Sequence, residues 1–170
     1  MVLDLPRLFR SPKKLVSDLM WVETENELSF LAPVEVDGIT MEGIRLRGTA
    51  YPSVPQRSVM LQIECHSARY KVGPLDRMDW NPLHEHNNKR KGPPELIFLR
   101  QRVSHHHTFD WNWLEEEKRM RAGNLPIAVP MAEIASVEEL FKFAEDYYLI
   151  KGLSKQRLPE WQGDLFRSLP

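Results

Sequence analysis

Leu28-Ser29-Phe30-Leu31-Ala32-Pro33-Val34-Glu35-Val36-Asp37-Gly38-Ile39-Thr40-Met41-Glu42-Gly43-Ile44-Arg45-Leu46 is the stretch whose reading decides the fold. Leu28, Phe30, Ala32, Val34 and Val36 recur with a period of two, the spacing that puts apolar side chains on one face of a strand. Asp37-Gly38 then supplies the two positions of positive φ that a two-residue hairpin turn requires, and the apolar alternation resumes at Ile39 and Met41. Gly43 interrupts it as a bulge would, before Ile44 and Leu46, with Arg45 and Arg47 on the opposite face. The stretch predicts an antiparallel hairpin with a bend in its second arm.

Working outward, Val59, Leu61, Ile63 and Cys65 alternate after the Pro52 to Pro55 loop and predict a third strand, with Met60, Gln62, Glu64 and His66 on its other face. Upstream, Ser11-Pro12 reads as an N-cap and first helical position, followed by a stripe of Leu15, Val16, Leu19 and Met20. Downstream, residues 81 to 94 form a polar, basic loop. Glu95 to Trp111 reads as one strand with Ile97, Leu99, Val103, His105, His107, Phe109 and Trp111 on one face and Arg100, Arg102, His106 and Asp110 on the other. Asn112 to Arg121 suggests a short helix stopped by Gly123. Ser136-Val137-Glu138-Glu139 is a capping box opening a helix with the stripe Val137, Leu140, Phe141, Ala144 and Tyr148 and Gly152 past its end. Trp161, Leu165, Phe166 and Leu169 are expected to dock on the body. Strands first and helices later predict an α+β class: a mostly antiparallel twisted sheet in the N-terminal two-thirds, with a short N-terminal helix and C-terminal helices packed on it, in one domain over 1–170.

The chain of 170 residues is 42% apolar, enough to fill a core of its own, and carries a net charge of -1. Cys65 alone excludes an internal disulfide framework and a zinc site built on several thiolates, and it reads as a small core residue on its strand. No apolar run is long enough to span a bilayer, and the first residues lack a signal-peptide core, so a cytoplasmic protein without membrane contact is expected. A glycine-rich phosphate loop, a dinucleotide fingerprint and a nucleophile elbow are all missing, which disfavours nucleotide-cofactor enzymes.

Charge is unevenly spread. Trp21 to Glu42 holds six carboxylates and no lysine or arginine, whereas His66 to His107 holds eight Lys or Arg, four Asp or Glu and all six histidines. Neighbouring strands could pair these opposite charges; a local cationic patch could equally attract phosphate or nucleic acid.

Two pieces concentrate the chemistry: residues 79–91, DWNPLHEHNNKRK, and residues 105–113, HHHTFDWNW. His84 and His86 lie two apart, as do His105 and His107, a spacing that aims both imidazoles of a pair to one side of an extended chain. Three chemistries suit such a set. In the first, His84, His86 and His106 act as an acid/base group on a phosphodiester, with Lys89, Arg90, Lys91, Arg100 and Arg102 as phosphate ligands, in the manner of a small ribonuclease-like hydrolase. In the second, a divalent metal is held by His84, His86, His105 and His107 with Asp79 or Asp110. In the third, the basic triplet contacts phosphates while Trp80, Trp111 or Trp113 stacks on an unpaired base. The leading expectation is a phosphate or nucleic-acid site of hydrolytic type. The competing one is a non-catalytic protein that docks a protein partner through its acidic hairpin or C-terminal tail. Half-buried histidines and core tryptophans with no further role would also account for each residue taken singly.

Overall fold

The computed structural model describes residues 4–54, 56–66, 73–97 and 99–161. In chain order the elements are α1 (Leu5–Arg10), β1 (Lys13–Leu15), β2 (Val22–Glu23), β3 (Leu28–Val36), β4 (Ile39–Ala50), β5 (Val59–Cys65), β6 (Pro74–Trp80), β7 (His86–Asn87), β8 (Arg100–Gln101), β9 (His105–His107), α2 (Phe109–Asn112), β10 (Trp113–Leu114), β11 (Arg119–Met120), β12 (Val129–Pro130), α3 (Val137–Tyr148) and β13 (Ile150–Lys151). The architecture is α+β. Among the described residues nine strands make one sheet in the order β12-β9-β6-β5-β4-β3-β1-β13, with β2 also on β3. All its pairs are antiparallel except β1 with β13.

The hairpin forms as its sequence requires. Asp37 and Gly38 take φ of 53° and 76°, and Val36 pairs Ile39 across the turn. The register slips between Pro33 and Glu35, so that one β3 residue faces a longer stretch of β4. Gly43 sits in that bulge at φ 89°, where a Cβ would lie 2.1 Å from the His66 carbonyl oxygen. Only glycine fits there, because both the backbone angle and the approach of the next strand exclude a side chain.

One face of the sheet carries Val59, Leu61, Ile63, Cys65, Met78 and Trp80, all buried, and α3 lies against it. The α3 stripe Val137, Leu140, Phe141, Ala144 and Tyr148 is fully inaccessible. The Ser136 hydroxyl accepts from the Glu139 amide to cap the helix. Leu149, in the left-handed region, ends it before Gly152 is reached.

Several elements differ from expectation for local reasons. The N-terminal helix precedes Ser11: Asp4 caps it by accepting from the Arg7 amide, and Ser11 closes it, leaving Lys13–Leu15 free to pair as β1 with β3. The strand expected over 95–111 is broken into β8 and β9, because 93–97 turns on itself and Thr108 caps α2. The second short helix is replaced by the β10–β11 hairpin, turned at Lys118 with φ 49°. β3, which carries Glu35 of the acidic stretch, and β6, which carries Arg77 of the basic one, are separated by β4 and β5, so these charges do not pair directly; Arg45 and Arg47 instead hold the buried Glu64. Trp161 is half-buried against the core, and Leu165, Phe166 and Leu169 lie outside the described residues. No described helix is long and apolar enough to cross a membrane.

Candidate metal centre

The site is built on the register of β6 with β9. Asp79 pairs His105, Met78 pairs His106 and Arg77 pairs His107. Strand alternation therefore sends Met78 and His106 toward α3, and sends Arg77, Asp79, His105 and His107 together to the other face. The two-stranded ribbon of β7 and β8 adds His86. Its ring stacks on His105 with centroids 5.2 Å apart and meets His107 edge-on at 4.5 Å. The ligand nitrogens of His86, His105 and His107 all lie within 4.8 Å of one another.

Each of these imidazoles is anchored through one nitrogen by a carbonyl oxygen. His105 Nδ1 lies 2.9 Å from the Val103 carbonyl, His107 Nδ1 lies 2.6 Å from that of Leu125, and His86 Nε2 lies 3.0 Å from Oδ1 of Asn88. A carbonyl oxygen only accepts, so these nitrogens carry the hydrogens and the opposite ring nitrogens carry the lone pairs. With hydrogens so placed, Nε2 of His105 and Nε2 of His107 present lone pairs to Asp79 Oδ2 at 3.3 and 3.1 Å. Such a convergence of acceptors repels itself unless a cation lies among them. Arg77 supplies one: its Nε donates to Asp79 Oδ2 at 2.9 Å and its Nη2 to His107 Nε2 at 2.7 Å.

Electrostatics favour the neutral form of His86 and His107 and the charged form of Asp79. Burial pulls His86 down to about 4, with the neighbouring histidines adding to it against the Asn88 hydrogen bond. Burial also lowers His107, although Asp79 works in the opposite direction. Burial would raise Asp79, but the adjoining His105 and His107 rings and the charge of Arg77, whose Nε donates to it, outweigh burial and hold the carboxyl far below its usual range. Neutral imidazole and ionised carboxylate are the forms that bind metals. His105 and His107 are buried, His86 is half-buried, and 21% of the Asp79 side chain remains exposed, so solvent reaches the centre from the carboxylate side.

The other residues singled out in the sequence fall elsewhere. His84 is exposed, and His106 is on the opposite face of β9, its Nε2 2.6 Å from Oδ1 of the fully buried Asp76. His84, His86 and His106 are therefore not brought together as one acid/base group. Asp110 is exposed and pairs Arg10. Trp80 is buried on the helix side of the sheet and donates to the Ile134 carbonyl, whereas Trp111 is exposed and Trp113 stacks on Phe109. Lys89, Arg90 and Lys91 are exposed in the loop between β7 and β8, the Lys91 ammonium reaching the Ala122 carbonyl. Arg100 and Arg102 both pair Glu85.

Four participants had no place among the sequence candidates: Arg77, Asn88, Gln101 and Asp76. Asn88 is buried, donates from Nδ2 to the carbonyls of Leu96 and Ala128, and accepts from the Ala128 amide, tying the ribbon to the segment that supplies the Leu125 carbonyl. Gln101, opposite His86 in the β7–β8 ribbon, is buried with both amide atoms unpaired among the described residues. The period of two in Arg77 and Asp79 and in His86 and Asn88 was the available signal. Comparison of the chain with protein-family models, with curated proteins and with solved structures finds no match.

Proposed function

We propose that this is a metalloprotein in which His86, His105 and His107 hold one divalent transition-metal ion, zinc being the best fit to three neutral imidazoles and a carboxylate. The observation that supports it is the anchoring of each ring by a carbonyl oxygen, which aims the free lone pairs inward as the outer partners of metal-bound histidines do. Three protein ligands with a fourth position for water, or for Asp79, is the ligand count of a catalytic zinc centre rather than a closed structural one. An ion in that setting supplies Lewis acidity and lowers the pKa of a bound water, which makes hydrolysis the reaction class. To sit on one ion at about 2.0 to 2.1 Å, the nitrogens must draw together from their present spread of up to 4.8 Å.

Elemental analysis of protein purified without an affinity tag, followed by thermal melting with added zinc, tests the reading. One zinc per chain and a rise in melting temperature are expected, because a ligand that binds only the folded state stabilises it. His107→Ala should lose the bound metal and the shift. A wild-type chain free of metal and unmoved by zinc would refute the proposal.

A further inference from the structure

We propose that the centre takes an oxyanion, a phosphate group in the first instance, held beside the metal by Arg77 and Gln101; the inference rests on the metal reading. Arg77 Nη2 donates to the His107 Nε2 lone pair, which is the one a metal ion needs. A guanidinium hydrogen and a divalent cation cannot share that lone pair, and their charges repel. A bound ion therefore displaces Nη2, while Nε stays on Asp79 at 2.9 Å. The guanidinium is left tethered next to the ion with its forked donors free, the geometry that suits phosphate and carboxylate oxygens.

Gln101 is the second, independent observation. It is 3% exposed, and among the described residues neither its amide nitrogen nor its oxygen has a hydrogen-bond partner. A buried amide left unpaired forgoes its hydrogen bonds to water and calls for an explanation. Its cross-strand partner is His86, so the two side chains share the inward face of the ribbon that covers the histidines, while Asn87 and Arg100 face solvent. The amide hydrogens are thus available to an oxygen bound at the centre. Charge favours an anion as well, since residues 84–102 hold five Lys or Arg and two Glu. A tetrahedral phosphate has oxygens for the ion, the fork and the amide together, whereas a carboxylate has only two.

Cobalt(II), whose visible absorption reports changes in its ligands, is the probe. It is added in equimolar amount to the full chain purified without a tag, and inorganic phosphate and acetate are titrated separately. Phosphate is expected to change the spectrum saturably, and acetate to bind at least about tenfold more weakly. Arg77→Met should bind cobalt about tenfold more tightly, because a competing cation is gone, and phosphate about tenfold more weakly. Gln101→Leu should keep the wild-type cobalt affinity and lose several-fold in phosphate affinity. A merely structural Arg77 predicts the reverse for cobalt, a loosened site. The wild-type titration does not depend on any variant folding. Failure of cobalt to bind the wild type would sink the metal reading itself; cobalt that binds but ignores both anions would overturn the oxyanion site alone. An acetate response equal to that of phosphate would overturn the phosphate assignment, and Arg77→Met with weaker cobalt and unchanged phosphate binding would overturn the role of Arg77.

Discussion

Asp76 shows how a single residue positions the centre from the far side of the sheet. Its fully buried carboxylate accepts from the Phe109 amide at 2.7 Å and from the Tyr148 hydroxyl at 3.0 Å, and meets His106 Nε2 at 2.6 Å. His106 lies between His105 and His107, so a clamp on its ring sets the roll of β9 and with it the direction of the imidazoles on either side. Burial first, and then the same carboxylate, raises both Tyr147 and Tyr148 well above the ordinary phenol value and keeps both phenols neutral donors. Asp76→Ala leaves several buried donors unpaired and should cost about 3 to 5 kcal/mol in urea unfolding. A loss below about 0.5 kcal/mol would show that the network contributes nothing to the fold.

At the scale of elements, the β7–β8 ribbon is the part on which the site depends most and which the sequence disclosed least. Its strands are two residues each, too short for their own pairing to hold them, so Asn88 fastens the ribbon by exchanging hydrogen bonds with the Ala128 backbone. Asn88→Ala removes that tie and the anchor of His86 together, and zinc affinity should fall by about 10- to 100-fold by calorimetry while His105 and His107 still bind. An unchanged affinity would mean that His86 needs no anchor. The hairpin and α3 were legible because their apolar periods of 2 and 3.6 are local and uninterrupted. The ribbon was not, because its place depends on contacts from Asn88 to residues forty positions away. The N-terminal helix was misplaced because two capping residues, Asp4 and Ser11, flank the same turn, and only tertiary pairing of β1 with β3 shows which one opens it.

For the whole molecule, stability should fall steeply on mild acidification. His86 is pulled down to about 4 in the folded chain and titrates at its ordinary value once unfolded. Between these two pKa values the unfolded chain binds more protons, so the contribution of His86 is complete above about 6.5 and lost as the pH falls toward 4. His107 is lowered in the same sense, chiefly by burial. Glu64, whose own burial is outweighed by Arg47 and Arg45, extends the loss below the ordinary glutamate range. For His86 the contribution amounts to about 2 kcal/mol once its partial exposure is allowed for. His86→Gln should flatten the dependence between pH 4 and 6.5 in chemical denaturation. An equally steep profile in the variant would place the acid sensitivity elsewhere. Histidine pairs two residues apart were visible in the sequence, and a divalent metal was one of the three chemistries they suggested. Which three converge was not, since that follows from the pairing of β6 with β9 and from the cover of the ribbon, both long-range.

X-ray absorption at the zinc edge, on tag-free protein dialysed against one equivalent of zinc, tests the central claim most directly. A shell with three imidazole nitrogens at about 2.0 to 2.1 Å, lost in His107→Ala, is the predicted result. A shell of oxygens alone, or a spectrum unchanged by that substitution, would contradict it.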